Sequence, residues 1–192
     1  MPADRRDLAA RLAAATPDDT ARGLVFNAAF DVAREQGNEA EAVACDPAGK
    51  GKRTDFRSYP AADLLEVLWR VVDRVEARCG GVDGAFRQIG YRTTAGVLGS
   101  MAGSTLLSFG SSPRLLVEQV PAAYQAVLSF GQRTVTWLGP TQARLVYEND
   151  FLPLPFHLGV LQASVDGTSA VGAIVEGRAS GLLRVDLQIA WR

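Results

Sequence analysis

The chain is poor in the side chains that usually carry chemistry. Its 192 residues include one histidine, His157, and two cysteines, Cys45 and Cys79. A hydrolytic triad or dyad built on imidazole would have to use His157, which lies in LPLPFHLG with no G-x-S-x-G elbow before it. Structural zinc takes about four nitrogen or sulfur ligands. Cys45, Cys79 and His157 share no ligand spacing, so no metal site is expected. The segment AGKGKRT lacks the G-x-x-x-x-G-K-S/T spacing of a phosphate loop. It reads as an exposed basic loop in which Lys50, Lys52 and Arg53 are candidates for contact with an acidic partner. Histidine-free chemistry would need carboxylates and arginines, and Glu148 and Asp150 near a strand end, with Arg92 or Arg133, are the set that could supply it.

Other residues suit a pocket better than a reaction. Tyr91, Met101 and Tyr124 fall on the middle helices, where they serve either as core or as the wall of a cavity. His157 fits local packing or a cap, and also the polar group of such a pocket. Gly96, Gly99, Ser100, Gly103 and Ser104 form a small-residue series. Gly99 and Gly103 are four apart and share a helix face, which suits tight packing, a dimer contact or a cavity wall. Trp69, Trp137 and Trp191 are read as core.

Composition limits the classes further. Hydrophobic residues make up 47%, charged residues 21%, and the net charge is −1. That is a globular chain with enough apolar surface for a real core, and not a globally basic nucleic-acid binder. Two cysteines give no disulfide framework. The charged N-terminus, MPADRRDLAARLAAATPDD, lacks the apolar core of a secretion signal, so a cytoplasmic location is expected. Residues 93–113 carry no charge, but Gly, Ser and Thr interrupt their apolar residues. A spanning helix needs about 20 mainly apolar residues, so a buried helix is expected there, not a transmembrane one.

The elements that would hold these residues follow from period and punctuation. Residues 4–15 read as a short amphipathic helix, and 1–15 as an N-terminal arm to a single domain, 16–192. Thr16-Pro17-Asp18-Asp19 reads as the start of a helix through Phe26, Phe30 and Ala33, ended by Gly37. After an aperiodic stretch over 38–58, Leu64, Leu65, Leu68, Val71, Val72 and Val75 follow helical spacing to Gly80-Gly81. A helix from Val82 to about Ser108 and one from Pro113 come next, with Pro121 marking a kink or boundary in the latter. At Gly131 the period switches to two. QRTVTWLG and ARLVYEN read as strands, FLPLPFHLGVLQASVDG as a loop and short helix, and GAIVEGRASGLLRVDLQIAWR as a hairpin turning near Ala179-Ser180-Gly181. The fold class is therefore α+β: an N-terminal helical half followed by a ββαββ antiparallel sheet.

In this order, TPDDTARGLVFNAAFDVAREQG, FRSYPAADLLEVLWRVVDRV, GAFRQIGYRTTAGVLGS and PFHLGVLQASVDG with the final LRVDLQIAWR resemble an uncharacterised, heavily paralogous bacterial family best represented in myxobacteria. The likeness runs from about Thr16 onward. More distantly, the chain is similar to a superfamily of haem-nitric-oxide-binding sensors, four-vinyl-reductase-type ligand domains and vesicle-tethering transport-particle subunits. The residues that carry this likeness are Gly23 to Asn27, Tyr59-Pro60, Phe86, Gly90 and Tyr91, and Gly159. The haem sensors place a proximal histidine on a helix before the sheet and carry a Tyr-x-Ser-x-Arg motif. Here no histidine precedes His157 and that motif is missing, so no haem cofactor is expected.

By analogy with this superfamily, homodimerisation through the helical half is expected. The resemblance to the transport-particle subunits further implies that Cys79 stands near the position of a cysteine that takes an acyl chain into a hydrophobic channel. The expected function is a non-enzymatic sensor or adaptor binding a small apolar ligand, a partner protein, or both. The pocket candidates are Cys79, Tyr91, Met101, Tyr124 and His157. A structural subunit of a larger assembly and a carboxylate-based enzyme are the alternatives.

Overall fold

The computed structural model describes residues 5–98 and 112–192. The helical half comprises α1 (Arg5–Ala14), α2 (Gly23–Gln36), α3 (Glu39–Ala44), α4 (Ala61–Val75), α5 (Val82–Leu98) and α6 (Pro113–Val127). The sheet half comprises β3 (Gln132–Gly139), β4 (Gln142–Glu148), α7 (Leu154–Asp166), β5 (Ile174–Gly181) and β6 (Arg184–Ala190). Two three-residue strands, β1 (Thr20–Arg22) and β2 (Ser58–Pro60), form a clip of their own. The α+β order read from the sequence is the order observed. The described residues include no helix long and apolar enough to cross a membrane.

The first long helix begins at Gly23, later than Thr16. The Thr16 hydroxyl and backbone amide both donate to Asp19, closing a local turn. The next three residues become β1, with Ala21 opposite Tyr59. Gly23 is required there, because a Cβ would lie 2.2 Å from the Thr54 carbonyl oxygen. The clip also binds the helical half to the chain leading into the sheet: the Ala61 amide donates to Asp19 O (2.8 Å) and the Ser129 amide to Thr20 O (2.9 Å).

The α4 stripe predicted from spacing is buried along its length, from Leu64 to Val75. Helix α6 continues through Pro121, whose missing amide does not divide it. The last hairpin turns at Leu182-Leu183, two residues beyond the expected turn, because Gly181 is already paired with Arg184.

The sheet order is β3-β4-β6-β5, antiparallel throughout. Alternation puts Ala143, Leu145, Tyr147, Val185, Leu187 and Ile189 on the covered face. Helix α7 lies across that face and packs along α5. Their backbones approach so closely that a Cβ on Gly90 would sit 2.0 Å from Phe156 O, and one on Gly159 2.0 Å from Arg87 O. Each glycine opens the space the other helix needs. Trp69 and Trp191 are core, as expected, whereas Trp137 is half-buried and meets Trp191 edge to face at 6.0 Å.

Candidate functional site

Between α5, α6 and α7 lies a cleft of about 70 Å³. Its apolar walls come from Val25 on α2, Val97 and Leu98 on α5, Leu116, Val120 and Ala123 on α6, and Phe156 and Val160 on α7. Three hydroxyls also line it, yet each is turned back onto its own helix. Thr93 donates to Ile89 O (2.9 Å), Thr94 to Gly90 O (3.3 Å) and Ser164 to Val160 O (2.9 Å). With their donors bonded to backbone, these side chains present mainly methyl and methylene surface to the cleft.

One wall residue leads elsewhere. Tyr124, on α6, is buried, and its hydroxyl lies 2.7 Å from His157 Nδ1. His157, in the first turns of α7, is fully buried, with Nε2 3.2 Å from Leu152 O and 3.5 Å from Asp150 Oδ1. A carbonyl only accepts, so in the neutral ring Nε2 carries the hydrogen and Nδ1 accepts from the tyrosine. Asp150 in turn accepts from the Leu152 amide (3.0 Å) and from Arg133. Arg133 also donates to Phe130 O (3.0 Å), and its guanidinium lies 4.1 Å from the centre of the Tyr124 ring.

This is a closed polar network inside an apolar core, with Arg133 and Asp150 as a charge pair whose side chains are both 1% exposed. Burial pushes the Asp150 carboxyl up, but His157, Arg133 and the Leu152 amide pull it further down, so it ends below the ordinary aspartate value. Burial also drives the Tyr124 hydroxyl well above its usual range, which keeps it a neutral donor. Arg11 of α1 closes the far side, donating to the carbonyls of Phe151 (3.1 Å) and Leu152 (3.4 Å).

The residues singled out by sequence do not all meet here. Tyr124 lines the cleft and His157 stands behind it. Tyr91 is 41% exposed and lies outside the cleft, because α5 turns it away from the core while Phe86, Ile89 and Gly90 face inward. Cys79 also lies outside the cleft, half-buried, with Sγ 3.5 Å from Gln88 Oε1. Burial pushes its thiol up, against the pull of Arg78, which disfavours the nucleophilic thiolate. Met101 and the Gly99–Ser104 part of the small-residue series lie outside the described residues. The close helix approach observed is at Gly90 and Gly159.

The basic loop is divided. Lys50 and Lys52 are exposed. Arg53 is 4% exposed, paired with Asp46 at 2.8 Å and lying near the rings of Phe26, Phe30 and Tyr59. It is an anchor of the loop rather than part of an exposed basic patch. The carboxylate set is scattered as well. Glu148 pairs with Arg184 on the surface, Asp150 is buried with Arg133, and Arg92 pairs with Glu35 on the helical half. No group of three or more His, Cys, Asp or Glu side chains is placed to hold a metal among the described residues.

A helical half packed on a four-stranded sheet, with a cleft beside the helix that crosses it, defines an α+β domain, and solved H-NOX proteins share this fold. An Fe(II) unliganded H-NOX protein from K. algicida superposes with a TM-score of 0.68 at 14% identity, covering 89% of this chain and 96% of that one. An H-NOX protein from S. oneidensis in the Fe(II)NO state gives 0.70 at 13% identity, covering 89% and 99%. A third solved structure, described as modulating haem redox potential through protein-induced porphyrin distortion, gives 0.64 at 10% identity, covering 88% and 99%. No curated protein matches the chain in sequence. The chain belongs to the family described as protein of unknown function (DUF2378), whose model matches residues 14–192.

Proposed function

We propose that this chain is a non-enzymatic, cytoplasmic sensor or adaptor module that takes a small apolar ligand in the α5–α6–α7 cleft and does so without haem. The observation that carries this reading is the chemistry of the cleft wall. The Thr93, Thr94 and Ser164 hydroxyls are bonded to backbone, Gln119 is its one amide side chain, the rest of its wall is aliphatic and aromatic, and Tyr124 connects it to the buried network. A ligand that shifts α6 shifts Tyr124, and through His157 and Asp150 it bears on Arg133 at the start of β3. This gives a physical route from pocket to sheet.

Haem does not fit the residues present. Both nitrogens of the single imidazole are engaged, and no histidine, cysteine or methionine is among the described residues that line the cleft. The volume of about 70 Å³ is also far below the roughly 300–1,000 Å³ of sites for larger ligands.

The test is native mass spectrometry of the protein purified from its own host, and again after incubation with short-chain saturated fatty acids, whose size suits the cleft. The expected result is a bound apolar species that is lost when Ala123→Phe fills the cleft. An unliganded mass under every condition would overturn the ligand reading. A histidine-ligated Soret band after addition of haem would overturn the haem-free part.

A further inference from the structure

We propose that β5 is a self-pairing edge, through which two copies of this chain join their sheets into one. Strand β5 is eight residues long, and the sheet order leaves its outer side without a strand partner among the described residues. Edge strands of this length are ordinarily blunted by Lys, Pro or a covering element. IVEGRASG has neither residue, all of it except Val175 is exposed, and its one bulge, between Ala179 and Gly181, lies at the hairpin end, beyond the Glu176–Arg178 stretch. Three of the large exposed hydrophobics among the described residues, Val171, Ile174 and Leu182, lie beside its two ends.

The occupant follows from the charge pattern. Glu176 and Arg178 flank Gly177 on the outer face, opposite Gln188 and Asp186 of β6. An antiparallel partner whose two-fold axis passes through Gly177 places Glu176 opposite the partner's Arg178, and Arg178 opposite the partner's Glu176. On the other face the same register sets Val175 against the partner's Ala179. Moving the axis one residue either way sets glutamate against glutamate or arginine against arginine, which is unfavourable in directly opposed pairs. The strand is therefore complementary to itself in one register, and the isologous contact closes at two copies.

Sedimentation velocity of the full chain over a concentration series tests this. The wild type is expected to reach a dimer. Glu176→Arg alone and Arg178→Glu alone are each expected to weaken it by about tenfold, since two attractive pairs become repulsive. An equimolar mixture of the two single variants is expected to form a heterodimer, because every opposed pair is then of opposite sign. The double variant carrying both changes is expected to recover self-association. Both side chains are exposed, so the variants should keep the wild-type circular dichroism. Arg178→Glu faces Asp186 across β5 and β6 and should lower the melting temperature slightly, so lost pairing is read from proteins that remain folded by circular dichroism. Glu176→Arg, opposite Gln188, is the cleaner single change. A monomeric wild type at all concentrations, or a dimer indifferent to both single changes, would overturn the proposal.

Discussion

The Tyr124 hydroxyl and His157 Nδ1 lie 2.7 Å apart where the apolar cleft meets the buried polar network. Removing the hydroxyl with Tyr124→Phe leaves a buried ring nitrogen without a donor. A buried acceptor left unpaired costs about 1–3 kcal/mol. In a domain of this size that is a fall in melting temperature of about 2–4 °C per kcal/mol, readable by calorimetry. A Tyr124→Phe protein as stable as wild type would show that the bond contributes nothing to the fold.

The Asp150 carboxyl makes a prediction in acid. Its folded value is held below the unfolded one, so its contribution is complete above the unfolded value and is lost as pH falls through the folded value. Asp46, beside Arg53, is lowered in the same direction. Stability attributable to these groups should be level from about pH 7 to pH 5 and fall below about pH 4. Urea midpoints across pH check this. Asp150→Asn should lower the neutral plateau and flatten the acid limb.

The reciprocal glycines are a test of packing. Gly90→Ala and Gly159→Ala each push a methyl group into a facing backbone carbonyl. Backbone cannot move aside as a flexible side chain can, so each change should cost about 1–3 kcal/mol or more. Chemical denaturation of both variants measures the effect. A neutral result at either site would mean that the helices can separate freely.

Arg53 and its neighbouring lysines should behave oppositely. Arg53→Met leaves Asp46 buried without its partner, and breaking a buried pair in this way costs about 3–5 kcal/mol. Lys50→Ala and Lys52→Ala change exposed side chains and should stay within about 0.5 kcal/mol. Thermal melts of the three proteins would separate the anchor from the surface.

The helices and strands were legible where apolar residues kept a period. The α4 stripe and the alternation of Val185, Leu187, Ile189 and Trp191 are examples. What escaped was set by tertiary contact. The β1–β2 clip is three residues on each side, too short for a period, and exists because Ala21 meets Tyr59 across 38 positions. The buried network escaped because a charged residue is ordinarily read as solvated. A signal was nevertheless present in β3. Arg133 has the same strand parity as Val135 and Trp137, the inward face, and an arginine there demands a buried counter-charge. Asp150 supplies it, which is also why the carboxylate set read from the sequence never assembles as a reactive group. The cleft was foreshadowed at Tyr124 and in the uncharged 93–113 stretch, which supplies Thr93, Thr94, Val97 and Leu98, whereas its other walls are mainly ordinary side chains from α2, α6 and α7.

The strand order has a kinetic consequence. Strand β6 lies between β4 and β5, although it is made after both. During synthesis β4 leaves the ribosome with β3 on one side and nothing on the other, and β5 has no neighbour until Arg184–Ala190 arrive. The middle of the sheet thus closes late and through distant pairings, the kind that slow folding and lengthen the exposure of unpaired edges. A nascent chain halted before β6 is therefore the species in which a chaperone would find β4 open.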